Sequence, residues 1–200
     1  MDARRLIRAA ILAALVFGGW AWYEDVGHEC GRHASFTTIR SHRGFCRSPE
    51  RPALTFLKMI ASAQADFRAN NPDGDGVNQF WRTDVAGLFA LAQKGGPAIQ
   101  LIPLDLALAD ARPFYDLSGY GKRQPKSGYW FKAIRHADET TIDAVTQFAV
   151  CAYPDDLSRD KYTFVVDENN RIFRTATPLP QGVDVFPTAE ELKAQWNIVG

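Results

Sequence analysis

Between residues 71 and 79 the chain reads Asn-Pro-Asp-Gly-Asp-Gly-Val-Asn-Gln, which puts oxygen-bearing side chains at Asn71, Asp73 and Asp75, every second position, with Gly76 next. Hard cations take roughly six to eight oxygen ligands, and this spacing supplies the first half of a calcium loop: three side chains and the main-chain carbonyl of Val77. Asp84 follows closely enough to return as a further ligand. The twelfth position of such a loop, where a bidentate glutamate would complete the shell, is Arg82. A polar turn uses the same residue types for conformational reasons, so a cation loop and a plain turn both fit. Calcium is the one cofactor this stretch offers.

A second cluster lies between Glu24 and Arg51, which carries five arginines, His28, His33, His42, Cys30 and Cys46. In an oxidising compartment a Cys30–Cys46 disulfide would close this loop, constraining the unfolded chain by about 3 kcal/mol. The same residues also fit a zinc cage of Cys30, His33, His42 and Cys46, four ligands of suitable chemistry in one short segment. Cys151 is unpaired in either scheme, and inside "QFAVCAY" it reads as a small core hydrophobe. His136 with Asp138 and Glu139 could perform acid–base chemistry, but no nucleophile or second motif converges with them, and a surface loop is the plainer reading. Asp155 and Asp156 read as a solvated turn. Hydrolytic triads, glycine-rich phosphate loops and H-E-x-x-H are absent, so the expectation is that the protein is not an enzyme. Twenty-three basic side chains balance 23 acidic ones, leaving no global electrostatic reason to expect nucleic acid.

At the amino terminus Arg4, Arg5 and Arg8 precede an uncharged apolar run from Ala9 to Tyr23 that closes on Trp20, Trp22 and Tyr23. A spanning helix needs about 20 apolar residues, which this run reaches only if Leu6 and Ile7 join it and Arg8 snorkels. Aromatic rings prefer the membrane interface, and arginines mark the cytoplasmic side. The pattern predicts an anchor in the inner, cytoplasmic membrane, single-pass, with an extracytoplasmic body; a cleaved signal segment fits the charged start but not the bulky aromatic end. Three regions follow: 1–23 as anchor or signal segment, 24–51 as a basic Cys/His linker, and 52–200 as the folded body.

In that body Leu54, Leu57, Ile60, Ala61, Gln64 and Phe67 recur at helical spacing after Pro52, predicting a helix over about 52–69 that ends at Asn70-Asn71-Pro72. A shorter helix is expected from Thr83 until Gly95-Gly96-Pro97. Then the rhythm changes to strands, "SGYWFKAIR", "TQFAVCAY", "KYTFVVD" and "RIFRT", the last two joined by Glu168, Asn169 and Asn170. Thr188 and Glu191 form a capping box for a terminal helix that packs Leu192 and Trp196. Helices first and strands afterwards predict an α+β fold: a membrane helix, then a long helix packed on an antiparallel meander of about four strands.

The order "LKMIASAQADF", "DVAGLFAL", "SGYWFKAI", "FAVCAYPDD" and "KYTFVVDENNRIFR" resembles the globular part of bacterial type IV pilin-like proteins and type II secretion pseudopilins, over about residues 53 to 176. Between Ala9 and Tyr23 there is no prepilin cleavage motif with its glutamate. The resemblance implies a pilin-like domain held by a separate anchor. The "DGDGVN" stretch in turn is similar to the loops of thrombospondin-type calcium repeats. Together these features predict a membrane-anchored, extracytoplasmic structural or protein-interaction module, steadied by calcium, that meets the membrane through its first helix and a protein partner through its body. The alternatives are an extracytoplasmic enzyme and a zinc-binding protein.

Overall fold

The computed structural model describes residues 50–92, 96–135, 145–157, 162–175 and 177–199. All of them fall in one of the chain's two compact units, Arg47–Gly200. Helix α1 spans Glu50–Asn70 and buries Ala53, Leu57, Ile60, Ala61, Ala63, Gln64 and Phe67 along one side. The three- and four-residue steps between them make this stripe, as helical periodicity requires. Asn71 ends the helix with φ 44° while its N–H still bonds to the Phe67 carbonyl at 3.0 Å. A left-handed asparagine at this point is a common helix terminus, and Pro72 prevents continuation.

Two short helical turns follow, α2 at Gly87–Ala90 and α3 at Leu104–Ala107. The sheet is β1 Tyr129–Ala133, β2 Ala149–Pro154, β3 Phe164–Asp167, β4 Ile172–Thr175 and β5 Trp196–Ile198, with helix α4 Ala189–Gln195 just before β5. Each strand pairs antiparallel with the next in chain order, for example Trp130 with Tyr153, Cys151 with Val165, Val165 with Phe173, and Arg174 with Asn197.

The expected architecture is therefore corrected. The sheet has five antiparallel strands, not a meander of about four beneath a pilin-like helix, and the other helices are short. The error has a physical cause. The sequence pattern assigns Trp196 to the terminal helix, but that helix stops at Gln195, and Trp196 turns to an extended φ −121°, ψ 146° to begin β5. A three-residue strand is too short to show alternation. The second expected helix shrinks to the single turn Gly87–Ala90.

The inner-membrane placement is corrected as well: among the described residues no helix is long and apolar enough to cross a membrane. Helix α1 has the length, but it carries Glu50, Arg51, Lys58, Asp66 and Arg68. Residues 1–23, Cys30, His33, His42, Cys46, and His136 with Asp138 and Glu139 lie outside the described residues.

Both faces of the sheet are covered, which explains why its strands read as apolar runs instead of clean alternation. Tyr129, Phe131, Val150, Ala152, Phe164, Val166 and Ile172 pack on one side with Leu57, Ile60 and Phe67 of α1. On the other side Ile134, Ala149, Cys151, Val165 and Phe173 meet Val183, Phe186, Leu192 and Trp196. The chain from 177 to 188 thus runs as a strap across the second face. It is pinned by Phe186 N–H to the Arg135 carbonyl at 2.6 Å, Arg135 N–H to the Asp184 carbonyl at 3.1 Å, and Leu179 N–H to the Thr163 hydroxyl at 2.8 Å. The Thr188–Glu191 capping box then starts α4 in both its reciprocal bonds.

Candidate functional site

The 71–79 loop brings Asn71, Asp73, Asp75 and Val77 together. With its nitrogen turned inward, the Asn71 amide donates to Asp75 Oδ1 at 3.0 Å, the Val77 carbonyl at 3.2 Å and Asp73 Oδ1 at 2.5 Å, while its oxygen accepts from Gly76 N–H at 2.9 Å. Three acceptor oxygens thus converge on one point, where a cation or an N–H donor can sit, and here the amide supplies the donor. Gly74 and Gly76 hold φ of 70° and 82° to make the turn. Gln79 donates to Asp75 Oδ2, and Val77 N–H to Asp75 Oδ1 at 2.8 Å. Among the described residues no group of three or more His, Cys, Asp or Glu side chains could hold a metal ion.

Asp84 does not return to that loop. It is buried, and both its oxygens are occupied: Oδ1 accepts from the Trp81 indole N–H and Gly87 N–H, both at 2.9 Å, and Oδ2 accepts from Phe114 N–H at 2.7 Å. Asp110 sits with it as a second buried carboxylate, completely excluded from solvent. Its Oδ2 accepts from Val85 N–H at 2.7 Å and Ala86 N–H at 2.8 Å, and its Oδ1 from Arg112 N–H at 2.8 Å. The peptide groups on either side of Asp110 are in turn bonded to Phe131 of β1, through Phe131 N–H to the Ala109 carbonyl at 3.0 Å and Ala111 N–H to the Phe131 carbonyl at 2.7 Å.

Two carboxylates therefore satisfy the free N–H groups of residues 85, 86 and 87 at the start of α2, which an isolated turn would leave orphaned. They also fix where α2 starts; it ends after one turn because Leu91 leaves the helical region at ψ 130°. Asp84 lies just before the turn and Asp110 some two dozen residues further along the chain. Gly87 is needed because a Cβ there would fall 2.2 Å from the Trp81 indole nitrogen and 2.6 Å from Asp84 Oδ1. Burial pushes the Asp110 carboxyl up to about 6, helped by the neighbouring Asp84 charge and opposed by its backbone hydrogen bonds. Desolvation outweighs three good N–H contacts.

The same carboxylates hold one end of the loop after Asp110, at Arg112 and Phe114. Beyond it, residues 113–118 and 121–123 line a groove of about 570 Å³ that includes Phe114, Tyr115, Leu117, Lys122 and Arg123. Phe114 is 74% and Tyr120 59% exposed. Rings continue from the surface inward: Phe114 meets Tyr115 edge-on at 5.6 Å, Tyr115 lies 6.2 Å from Trp81, and Trp81 lies 5.8 Å from Phe67 of α1. Tyr120 stands edge-on to Phe89 at 5.6 Å. Gln64 locks Trp81 in place by pairing its amide with both backbone polar groups of that residue, accepting from N–H at 2.9 Å and donating to the carbonyl at 2.5 Å.

Arg123 is fixed at the groove's other end. Its Nη2 donates to the carbonyls of Asp110 at 2.8 Å and Ala111 at 2.7 Å, and its guanidinium lies 5.8 Å from the Trp130 ring centre. Nothing in the alphabet of known motifs marks Phe114, Tyr120 or Arg123. The one signal was compositional: an aromatic-rich, basic loop following a proline, in a stretch with no helical or strand period.

The second face of the sheet holds the remaining reactive groups. The Lys132 side chain is buried on β1 and donates to Asp184 Oδ1 at 2.6 Å and the Gln181 carbonyl at 2.7 Å; Arg112 reaches the same carboxylate at 2.9 Å. Cys151 beside it is a buried free thiol that burial pushes up to about 12, so it stays protonated and inert. The Lys132 hydrogen bond is the main reason that Asp184 titrates below the usual carboxylate range. Asp155 accepts the Trp130 indole N–H at 2.6 Å. Comparison with protein-family models, with curated proteins and with solved structures finds no match to this chain.

Proposed function

We propose that this protein is a protein-interaction module whose contact surface is the 113–123 groove. The observation that carries the reading is the exposure of Phe114 and Tyr120 on a loop held by buried hydrogen bonds. Large apolar side chains at the surface are informative when they cluster beside polar and charged groups, and Tyr, Trp and Arg supply most hot-spot energy at interfaces. A loop tied down through Arg112, Phe114 and Arg123 loses little freedom on binding, which preserves affinity. An enzyme is less well supported. Among the described residues the buried carboxylates Asp84 and Asp110 accept backbone and indole N–H groups, Lys132 is held by Asp184, and Cys151 is a thiol at neutral pH.

The test uses a photo-crosslinking amino acid placed in the full-length chain at Phe114, at Tyr120 and, as control, at Lys193 on α4, irradiated in a lysate of the native host. The reading expects one discrete protein captured from both loop positions, not from Lys193, with capture from position 114 lost when Tyr120→Ser is added and the melting temperature is unchanged. Equal capture from all three positions, or capture indifferent to Tyr120→Ser, overturns it.

A further inference from the structure

We infer that the groove recognises an acidic peptide segment, one that seats a large apolar side chain on Phe114 and a carboxylate on Arg123. This rests on the interaction reading above and adds the chemistry of the partner. Arg123 is held through hydrogen bonds to the main chain. Its bonds go to main-chain carbonyls of Asp110 and Ala111, through Nε and Nη2, so none of them neutralises its charge. Among the described residues no hydrogen bond or ion pair reaches its Nη1. A guanidinium fixed in direction, exposed, and carrying unused N–H donors is built to meet a planar oxyanion.

Lys122 is its exposed neighbour in the groove and makes no ion pair with a described residue, so two positive charges meet at that end. One carboxylate is present in the groove wall, Asp116. It accepts Ser118 N–H at 2.8 Å, and that bond is the main reason its carboxyl titrates below the usual range. The lining thus sets Lys122 and Arg123 together at one end against the single carboxylate of Asp116, which is hydrogen-bonded to its own loop. The size fits one large side chain and its flanking residue, since ligand sites run from about 300 to 1,000 Å³. A basic or neutral segment would leave Arg123 and Lys122 without a partner in the complex, which complementary interfaces avoid.

The experiment measures fluorescence anisotropy of a labelled Ala-Glu-Phe-Glu-Ala peptide on the full-length protein, beside the same peptide with Gln for both Glu and a third with Ala for Phe. The inference expects binding to the first peptide that falls about tenfold on raising salt from about 50 to 500 mM, and about tenfold or more with either altered peptide. Lys122→Glu and Phe114→Ser, both at exposed positions, should each weaken binding by a similar factor while leaving the fold intact. Arg123→Gln should weaken it most, and Arg123→Lys should restore only part because a lysine cannot present the planar fork. Equal binding of the Glu and Gln peptides, or binding unchanged in both Lys122→Glu and Phe114→Ser, overturns the inference. So does absence of binding at millimolar peptide, and in that case the crosslinking result still decides the interaction reading separately.

Discussion

Asp110→Asn tests the buried carboxylate pair through the pH dependence of stability. In the folded protein Asp110 is raised from 3.8 to about 6. In the unfolded chain it returns to the ordinary value, so between these limits the native state binds the extra proton. Stability then falls as pH rises: the contribution of this group is fully present below about 3.8 and is lost as pH passes 6. A shift of roughly two units at about 1.4 kcal/mol each amounts to about 3 kcal/mol between pH 4 and 7.

Asparagine keeps one oxygen for Val85 and Ala86 N–H but turns an NH2 toward Arg112 N–H, which costs about 1–2 kcal/mol at every pH. The variant should therefore be less stable than the parent at pH 4 by about that amount and equal to it or more stable at pH 7. Urea unfolding followed by tryptophan fluorescence at pH 4, 5, 6 and 7 measures both curves. Their difference isolates Asp110, because the other titrating groups are common to the two proteins. A difference that stays constant from pH 4 to 7, or one that grows in the parent's favour as pH rises, refutes the desolvation argument and would mean that the three N–H bonds dominate.

Gly182→Ala should destabilise the strap by about 1–3 kcal/mol, since Gly182 holds φ 64° and a Cβ would lie 2.7 Å from Cys151 Sγ. Adding Cys151→Ala should recover part of that loss in a thermal melt, and full additivity of the two would show that the thiol is not the obstacle. Asn71→Asp replaces the donating amide with a third carboxylate facing Asp73 and Asp75, so millimolar calcium should raise the variant's melting temperature by a few degrees and the parent's by less. A parent that responds as strongly as the variant would mean that its own amide turns aside for the ion. Phe114→Ser should change stability by no more than about 0.5 kcal/mol in urea titration, because the ring is 74% exposed; a larger loss would make it a packing residue.

Much of the skeleton was legible because it rests on local periodicity. Helix α1, the four strands from Tyr129 to Thr175, the polar turn at Glu168–Asn170 and the capping box at Thr188 each declare themselves within about a dozen residues. The fifth strand was hidden because three residues, Trp196 to Ile198, carry no period of their own and owe their conformation to β4. The convergence of Asn71, Asp73, Asp75 and Val77 was readable from spacing. Asp84 takes a place its spacing does not reveal because its partners, Gly87 and Phe114, include one 30 residues away, and Asp110 gives no signal because its role depends on Val85 and Ala86. Carboxylates that bind main-chain N–H groups leave no motif, since their partners can be of any residue type.

Strand order that follows chain order has a kinetic consequence. Every pairing in the sheet joins neighbours along the chain, so no early contact must wait for a distant segment to arrive, and the entropic barrier to ring closure is set by the connections alone. The turn between β3 and β4 is the tightest of these and is the natural place for zippering to begin, whereas β5, reached only after the strap and α4, joins last.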